Sequence, residues 1–251
     1  MRIKILFLLF GLILGIFTGS YLGSENIYVS YYNYSLPSDL FLNVSSNASA
    51  AYLMVPAVDQ DGNGVVTFLS VQAVPGSGKR LVNIDKILFW IDTQNSIRTA
   101  SFVAQNITGI NISKYDLIYT ITANASVLEG SSAGAAITIA TIAALEKKEP
   151  RKDVMITGTI NHDGTLGPVG SVMEKAKAAQ LSGAKLFLVP LGQSKQVIYK
   201  SKKYCENIGF TQICTVEQIP HRIDVEKETG IQVKQVKNIK EALQYFFGEE
   251  E

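Results

Sequence analysis

The 251-residue chain has few cysteines and histidines and no excess of basic over acidic side chains. It contains two cysteines and two histidines, and His162 and His221 are too far apart in the sequence to offer the ligand spacing of a zinc site. Its 23 basic and 22 acidic side chains give a net charge of +1, without the basic excess that is typical of nucleic-acid-binding proteins. We therefore expect no metal site and no nucleic-acid partner.

Two short segments match ligand-binding loops only in part. PGSGKR (75–80) lacks the first glycine of a phosphate-binding loop, because that position is Ala73, and Arg80 stands where the loop requires Ser or Thr. DQDGNG (59–64) begins like an EF-hand loop, but Ser70 occupies the position of the bidentate glutamate. The sequence therefore predicts no ATP site, no calcium site and no other cofactor. It predicts a hairpin turn over 59–64.

The first 24 residues combine a basic start with a long apolar run. Arg2 and Lys4 precede an uncharged stretch from Ile5 to Ser24, which has the length of a short membrane span and also the order of a signal peptide. Both interpretations place the following residues outside the membrane. We expect residues 1–24 to be a signal anchor or a signal peptide, and the rest of the chain to be membrane-anchored and extracytoplasmic, or secreted.

Two further features agree with an extracytoplasmic location. Cys205 and Cys214 are near enough in sequence to close a small loop in an oxidising compartment, while two unpaired structural cysteines fit the sequence equally well. Asn-x-Ser/Thr sequons occur at six positions, namely Asn33, Asn43, Asn47, Asn106, Asn111 and Asn124.

The alternation of strand and helix patterns predicts one α/β domain over 51–248, preceded by a Ser-, Asn- and Tyr-rich linker at 25–50. The predicted strands cover 51–74, where two strands surround a turn, and 115–123, 154–160, 184–190 and 231–236. The predicted helices cover 92–109, 133–147, 172–182 and 239–247.

Two serines stand between glycines at the entry to the Ala-rich helix, in the segment Gly130-Ser-Ser-Ala-Gly134. A helix entry leaves backbone N–H groups unpaired and carries a partial positive charge. A serine there either caps the helix or is a nucleophile whose oxyanion the N–H groups stabilise. Taken alone, the segment favours the cap.

A serine nucleophile requires a base, and the sequence offers a histidine or a lysine. His162 lies in the turn NHDG beside Asp163, a neighbour that does not make the orienting pair of a Ser-His-Asp triad, so we interpret it as a turn residue. Lys175 lies in the first turn of the helix at 172–182, whose start is predicted by a capping box of Ser171 and Glu174. Burial at a helix N-terminus would lower the pKa of this lysine.

Taken together, these segments resemble the proteolytic domain of Lon proteases, the Ser-Lys peptidases. Residues 129–134, EGSSAG, are similar to the family's nucleophile motif, in which an acidic residue, glycine and proline precede Ser-Ala-Gly. The stretch ITGTINHDGTLGPVGSVMEK is similar to the family's base region, and Lys175 follows Ser132 by 43 positions. The resemblance extends more loosely over 52–248, and DTQNSIRTA resembles the ATPase-free archaeal Lon-like serine proteases in particular.

This resemblance implies a fold like domain 2 of ribosomal protein S5, with Ser132 as nucleophile and Lys175 as general base. It also implies that Thr157 orients the Lys175 side chain, that Glu129 is the acidic residue before the nucleophile, and that backbone N–H groups near Ser132 bind the oxyanion. Ser131 replaces the family's proline and therefore competes for the role of nucleophile.

The function that we expect is ATP-independent serine endopeptidase activity on unfolded or extended polypeptide outside the membrane. Membrane contact would be through the N-terminal helix, and the rings of the family imply a homo-oligomer. Two alternatives stay open: a catalytically silent Lon-like binding module for a membrane partner, and a self-processing enzyme that cleaves its own linker at 25–50.

Overall fold

The computed structural model of the chain describes residues 37, 40–42, 47–84, 91–122 and 130–248, all within one unit, Tyr32–Glu251. The predicted anchor or signal peptide at 1–24, Glu129 and most of the predicted linker lie outside the described residues. Within the described ranges, no helix has the length and apolar character needed to cross a membrane.

The described residues form strands and helices in mixed order, which confirms the predicted mixed α/β class. The strands are β1 (Ser49–Val58), β2 (Gly64–Pro75), β3 (Arg80–Asn83), β4 (Tyr115–Thr122), β5 (Val154–Ile156), β6 (Thr159–Ile160), β7 (Leu166–Gly167), β8 (Leu186–Pro190), β9 (Lys195–Ile208), β10 (Thr211–Asp224) and β11 (Gln232–Val236). The α-helices are α1 (Ile91–Thr108), α2 (Gly134–Glu146), α3 (Val172–Leu181), α4 (Val225–Thr229) and α5 (Ile239–Phe247), with 3₁₀ helices at Ile112–Lys114 and Ser131–Ala133.

Two larger sheets and two small ones organise these strands. The first sheet has the order β1-β2-β4-β3, in which β1, β2 and β4 are antiparallel and β3 runs parallel to β4. The second has the order β11-β8-β5 and is parallel throughout. The pairs β6–β7 and β9–β10 form separate two-stranded antiparallel sheets.

Helix α2 is buried on every side. Its first twelve residues, Gly134–Leu145, are all buried, as expected for a helix whose residues are apolar all around its circumference. Its few polar groups find partners inside the core, and Thr141 is hydrogen-bonded to the buried Tyr119 hydroxyl at 3.2 Å. Burial raises the pKa of Tyr119 to about 12. Because α2 cannot move without disturbing this core, it fixes the position of the 3₁₀ helix that precedes it.

A second apolar cluster holds α3 against the parallel sheet. Val172 and Ala176 on α3 are buried with Met155 of β5 and Phe187 of β8, and Val225 of α4 completes the cluster. The apolar face of α3 therefore determines how deeply the rest of its first turn is buried.

The turn between β1 and β2 is the predicted hairpin turn. Asp59 accepts hydrogen bonds from the N–H groups of Asp61 and Asn63, and strand pairing begins at Val58 and Gly64. Gly64 lies so close to α3 that a Cβ atom there would be 2.0 Å from the carbonyl oxygen of Glu174. Only glycine permits this approach of the hairpin to the first turn of α3.

One predicted strand is wrong in its extent. The sequence predicts a continuous strand over 154–160, but β5 ends at Ile156 and β6 belongs to another sheet. The reason is a change of hydrogen-bond partner: the N–H of Thr157 donates to Leu188 of β8, whereas the N–H of Gly158 donates to the carbonyl oxygen of Ser132 at 3.0 Å. The chain leaves the parallel sheet at this point to contact the 3₁₀ helix.

The long hairpin of β9 and β10 has no counterpart among the predicted elements. Each strand has 14 residues, and almost all of them are exposed. Cys205 and Cys214 face each other across the two strands and form a disulfide, with 4.0 Å between their Cα atoms. The structure thus selects the bridge from the two alternatives that the sequence left open.

Candidate active site

A cleft of about 740 Å³ brings together three separate parts of the chain. The β1–β2 turn, the 3₁₀ helix before α2 and the turn before α3 form its walls, and Lys175 of α3 also lines it. Its lining residues are Ala57, Val58, Asp59, Gln60, Gly130, Ser131, Ser132, Thr159, Pro168, Val169, Gly170, Ser171 and Lys175. The two predicted dyad residues, Ser132 and Lys175, therefore line the same cleft.

The backbone of Ser132 is fixed by the end of β5. Its carbonyl oxygen accepts hydrogen bonds from the N–H of Gly158 at 3.0 Å and from the hydroxyl of Thr157 at 3.3 Å. In return, the N–H of Ala135 in the first turn of α2 donates to the carbonyl oxygen of Gly158 at 3.0 Å. This reciprocal pairing holds the half-buried serine at the cleft wall without using its side chain.

The alternative interpretation of the two serines as helix caps is wrong. The residue that caps the 3₁₀ helix is Gly130, with φ of 109°, and the residue that caps α2 is Ala133; neither position has a side-chain capping hydrogen bond. Ser131 and Ser132 lie inside the 3₁₀ helix instead. Their hydroxyl groups are thus not used to satisfy the orphan N–H groups of a helix start.

Lys175 is almost completely buried, with 5% of its surface exposed. Among the residues that the structure describes, its ammonium group has neither a hydrogen-bond acceptor nor an ion-pair partner within bonding distance. Burial lowers the pKa of Lys175 to about 8, while the carboxylate of the neighbouring Glu174 opposes this shift. A lysine with this pKa is partly neutral near physiological pH, which a general base requires. Lys177, two residues further along α3, is exposed, as its position on the helix predicts.

Helix α3 begins at Val172 as predicted, but the predicted capping box is absent. Ser171 has left-handed backbone angles, φ 54° and ψ 39°, and its side chain makes no capping hydrogen bond. A capping serine has an extended backbone, so its hydroxyl cannot reach the N–H groups of the first turn from this conformation. A left-handed non-glycine residue costs about 1–2 kcal/mol, and this one lines the cleft directly before the lysine-bearing helix.

The turn before α3 is held by a glutamine that no sequence pattern singles out. The side-chain amide of Gln193 accepts a hydrogen bond from the N–H of Val169 at 2.9 Å and donates to its carbonyl oxygen at 2.7 Å. Gln193 is 24 residues away in the chain, in the connection between β8 and β9, and no local pattern predicts such a pair. Asp59 and Gln60 were likewise predicted only as turn residues, and their place at the cleft follows from the topology of the hairpin.

The two supporting residues of the predicted site have different positions. Thr157 is fully buried at the end of β5, and its hydroxyl donates to the carbonyl oxygen of Ser132 rather than to an atom of Lys175. The predicted role of Thr157 in orienting Lys175 therefore stays a prediction. Glu129 lies outside the described residues, so its role stays a prediction as well.

His162 is an exposed turn residue, as predicted. It lies in the turn closed by a hydrogen bond from the N–H of Gly164 to the carbonyl oxygen of Asn161, and its ring contacts Phe102 edge-on, with 5.8 Å between the ring centroids. It does not line the cleft. Within the described ranges, no group of three or more His, Cys, Asp or Glu side chains is placed to hold a metal ion.

Comparison with known proteins identifies a family and relatives for this chain. Residues 66–226 match the family model of the Lon protease (S16) C-terminal proteolytic domain. The archaeal Lon protease of Thermococcus kodakarensis is 27% identical over 151 residues, which are 60% of this chain and 23% of the relative. The archaeal Lon protease of Pyrococcus abyssi is 30% identical over 150 residues, which are 60% of this chain and 15% of the relative.

A third relative, the archaeal Lon protease of Methanothermobacter thermautotrophicus, is 26% identical over 166 residues, which are 65% of this chain and 25% of the relative. The chain thus spans a quarter or less of the length of these three relatives. The family match covers well over half of the chain and includes the 3₁₀ helix, β5 and α3. The chain belongs to the family of the Lon protease (S16) C-terminal proteolytic domain.

Proposed function

We propose that the chain is an ATP-independent serine endopeptidase in which Ser132 is the nucleophile and Lys175 the general base. The observation that carries this proposal is that both residues line one cleft, where burial lowers the pKa of Lys175 to about 8. A structural lysine on a helix is normally exposed, whereas Lys175 is almost completely buried and lines the same cleft as Ser132, a serine that caps no helix.

In the proposed reaction, Oγ of Ser132 attacks the carbonyl carbon of a peptide bond while Nζ of Lys175 takes the hydroxyl proton. The tetrahedral oxyanion is stabilised by backbone N–H groups at the start of the 3₁₀ helix, before its first internal hydrogen bond. Collapse breaks the C–N bond, and Lys175 gives its proton to the leaving amine. A water molecule then attacks the acyl carbon while Lys175 takes a proton from it. Collapse of this second tetrahedral intermediate breaks the C–O bond to Oγ of Ser132, Lys175 returns the proton to Oγ, and the carboxylic acid product is released.

The absence of an ATP requirement is supported by the loop at 75–80, which is folded around a carboxylate. Asp116 accepts hydrogen bonds from the N–H groups of Ser77 and Lys79, and these bonds hold the pKa of Asp116 below its usual value. The N–H groups that would hold phosphate in a nucleotide loop are thus occupied by a side chain of the same domain. An enzyme that acts without ATP hydrolysis would cleave unfolded or extended polypeptide.

The proposed location is outside the membrane, with residues 1–24 as anchor or cleaved signal. The apolar run of the sequence supports the membrane contact, and the Cys205–Cys214 disulfide supports an oxidising compartment. The same proposal includes a fold like domain 2 of ribosomal protein S5 and assembly into a homo-oligomeric ring. Both are supported by membership of the family.

Cleavage of unfolded casein by the full chain in detergent tests the proposal. Wild type should cleave casein at the same rate with and without ATP, and Ser132→Ala should lose at least about 100-fold in rate. Ser131→Ala is the matched control, because the neighbouring serine lines the same cleft, and it should keep a rate within about threefold of wild type. If Ser131→Ala lost casein cleavage and Ser132→Ala retained it, the nucleophile would be Ser131, and the role proposed for Ser132 would be wrong.

The intact masses of wild type and Ser132→Ala, purified side by side, separate a general protease from an enzyme whose one substrate is its own chain. A shorter wild-type chain, together with unchanged casein, would favour self-processing. Intact wild type that leaves casein whole would favour the binding module.

A further inference from the structure

The β9–β10 hairpin, residues 195–224, exposes an unusual amount of apolar surface for the described part of the chain. Fifteen large hydrophobic side chains of the described residues are prominently exposed, and eight of them belong to these 30 residues. They are Val197, Tyr199, Tyr204, Ile208, Phe210, Ile213, Val216 and Ile219. Because exposed apolar side chains concentrated on one element are typical of an interaction site, this hairpin, here named the arm, is a candidate binding element.

The arm also offers free backbone hydrogen-bonding groups. Its two strands pair with each other and with no other described strand, so the outer edge of each carries unpaired N–H and C=O groups. A two-stranded hairpin is marginally stable by itself, and the Cys205–Cys214 disulfide ties its outer half together. A persistent strand edge beside exposed apolar side chains is the arrangement that adds an extended peptide as a further strand.

The root of the arm is joined to the wall of the cleft. Gln193, two residues before β9, makes both hydrogen bonds to the backbone of Val169 in the cleft wall. The two ends of the arm are tied by a hydrogen bond from the N–H of Val225 to the carbonyl oxygen of Ser194 at 3.0 Å. Val225, directly after the arm, belongs to the same apolar cluster as the buried face of α3. The arm therefore projects from the segment that borders the candidate active site.

The chemistry of the arm's tip selects among classes of partner. Residues 207–216, NIGFTQICTV, contain no charged side chain, and Phe210 at the turn is completely exposed. An uncharged, apolar tip has no attraction for a strongly charged partner. The unpaired strand edges oppose insertion into a bilayer, because backbone groups without partners are costly in hydrocarbon.

We infer that the arm binds extended, apolar segments of unfolded polypeptide and holds them beside the cleft for cleavage. This inference rests on the proposed function and names the substrate class of the same site. The arm would supply the recruitment step, while Ser132 and Lys175 supply the chemistry.

Binding of fluorescently labelled, unfolded casein to the full chain in detergent tests the arm without catalysis, in a Ser132→Ala background. The test variant combines Ile208→Ser, Phe210→Ser and Ile213→Ser, which removes three exposed apolar side chains. The control combines Asn207→Ser, Thr211→Ser and Gln212→Ser, three exposed polar positions in the same ten residues. The test variant should bind casein at least about 10-fold more weakly, and the control should bind it as the parent does.

Steady-state kinetics of the same arm variants in the chain that retains Ser132 separate substrate recruitment from the chemical step. The test variant should raise KM for casein about 10-fold, with kcat and the cleavage of an octapeptide from a mapped casein site unchanged within about twofold. If wild type cleaves neither substrate, the proposed function fails, and the binding experiment still decides what the arm does.

Three results would overturn the inference. Equal casein affinity in the test variant and the control would show that the apolar tip does not bind polypeptide. A fall in octapeptide cleavage equal to the fall in casein cleavage would show that the arm acts only through the geometry of the cleft. The third result is a test variant that keeps its affinity for casein. If that variant loses self-association, the arm binds a second copy of the chain; if it loses binding to phosphatidylcholine–phosphatidylglycerol vesicles, the arm binds lipid.

Discussion

The buried hydroxyl of Thr157 donates a hydrogen bond to the carbonyl oxygen of Ser132, at 3.3 Å. The two residues are 25 positions apart, and their contact joins the end of the parallel sheet to the entry of the central helix. Because Gly158 donates to the same oxygen, the position of the serine is determined by two adjacent residues of one strand end. This contact explains in physical terms why a Thr-Gly pair follows the buried strand β5.

Replacing Thr157 by valine tests this contact. Thr157→Val removes one of two hydrogen bonds to the Ser132 carbonyl and leaves the shape of the side chain, so it should cost about 1 kcal/mol of stability and lower kcat about 5- to 10-fold. Thr157→Ser keeps the hydroxyl and should stay within about twofold of wild type in kcat. Casein kinetics and urea unfolding measure both quantities, and equal kcat in the two variants would refute the positioning role.

The activity should depend on the neutral form of Lys175. Because the pKa of this lysine is lowered to about 8, kcat/KM should rise about tenfold per pH unit below that value and level off above it. Initial rates of casein cleavage from pH 6 to 10 give the profile. A midpoint near 6.5 would point to a histidine instead, and a flat profile would remove Lys175 as the base.

The stability should depend on pH through the same residue. Below pH 8 the folded and unfolded chains both carry the Lys175 proton, and the folded state bears the cost of a buried ammonium group. Between about 8 and the ordinary value of 10.5, the unfolded chain binds a proton that the folded chain has lost, so wild-type stability rises with pH across this window. The full difference corresponds to about 3 kcal/mol.

Lys175→Met removes this titration. The stability advantage of the methionine variant over wild type should therefore shrink by about 3 kcal/mol between pH 7 and pH 10.5, as measured by urea unfolding. Lys177→Met, at an exposed position on the same helix, is the control and should show no such change. A constant difference for Lys175→Met would mean that its amine is hydrated in the folded chain.

The approach of the β1–β2 hairpin to α3 should be sensitive to a single methyl group. In Gly64→Ala the new Cβ would lie 2.0 Å from the carbonyl oxygen of Glu174, so the hairpin or the first turn of α3 must move. Because Lys175 is the next residue, we expect kcat to fall at least about 10-fold as well as Tm to drop.

Gly62→Ala provides the matched control in the same turn. Gly62 has φ of 84° and no atom within 4 Å of the added Cβ, so this variant should lose about 1–2 kcal/mol of stability and keep kcat within about twofold. Equal kcat in the two alanine variants would show that the Gly64 contact does not position Lys175.

Elements whose signals are local were predicted well. Helix α5 has the predicted ends, Ile239 and Phe247, because the Asn238 side chain accepts a hydrogen bond from the N–H of Glu241 at its start and Gly248 follows its end. The hairpin turn at 59–64 and the helix that stops before Gly109 follow from the same kind of local chemistry. The resemblance to Lon proteolytic domains implied Ser132 and Lys175 as the dyad, and the fold brings these two residues to one cleft.

Features that depend on distant contacts were not predictable in this way. The interpretation of the serines as caps and the capping box of Ser171 and Glu174 were wrong, because both assume backbone angles that tertiary contacts override. The Gln193–Val169 pair joins residues 24 positions apart, without any pattern in the sequence. The arm, 195–224, was missed because neither of its faces is buried, so its strands lack the apolar alternation of a half-buried strand.

The dyad itself is tested most directly by casein cleavage rates of Ser132→Ala, Lys175→Ala and the double variant, with His162→Ala as the control for an exposed turn residue. Two residues that act as one unit lose about the same activity singly and together, so the three dyad variants should share one residual rate, at least about 100-fold below wild type. His162→Ala should stay within a few-fold of wild type. A double variant whose loss is the product of the two single losses, or Lys175→Ala with near-wild-type activity, would contradict the Ser132–Lys175 dyad.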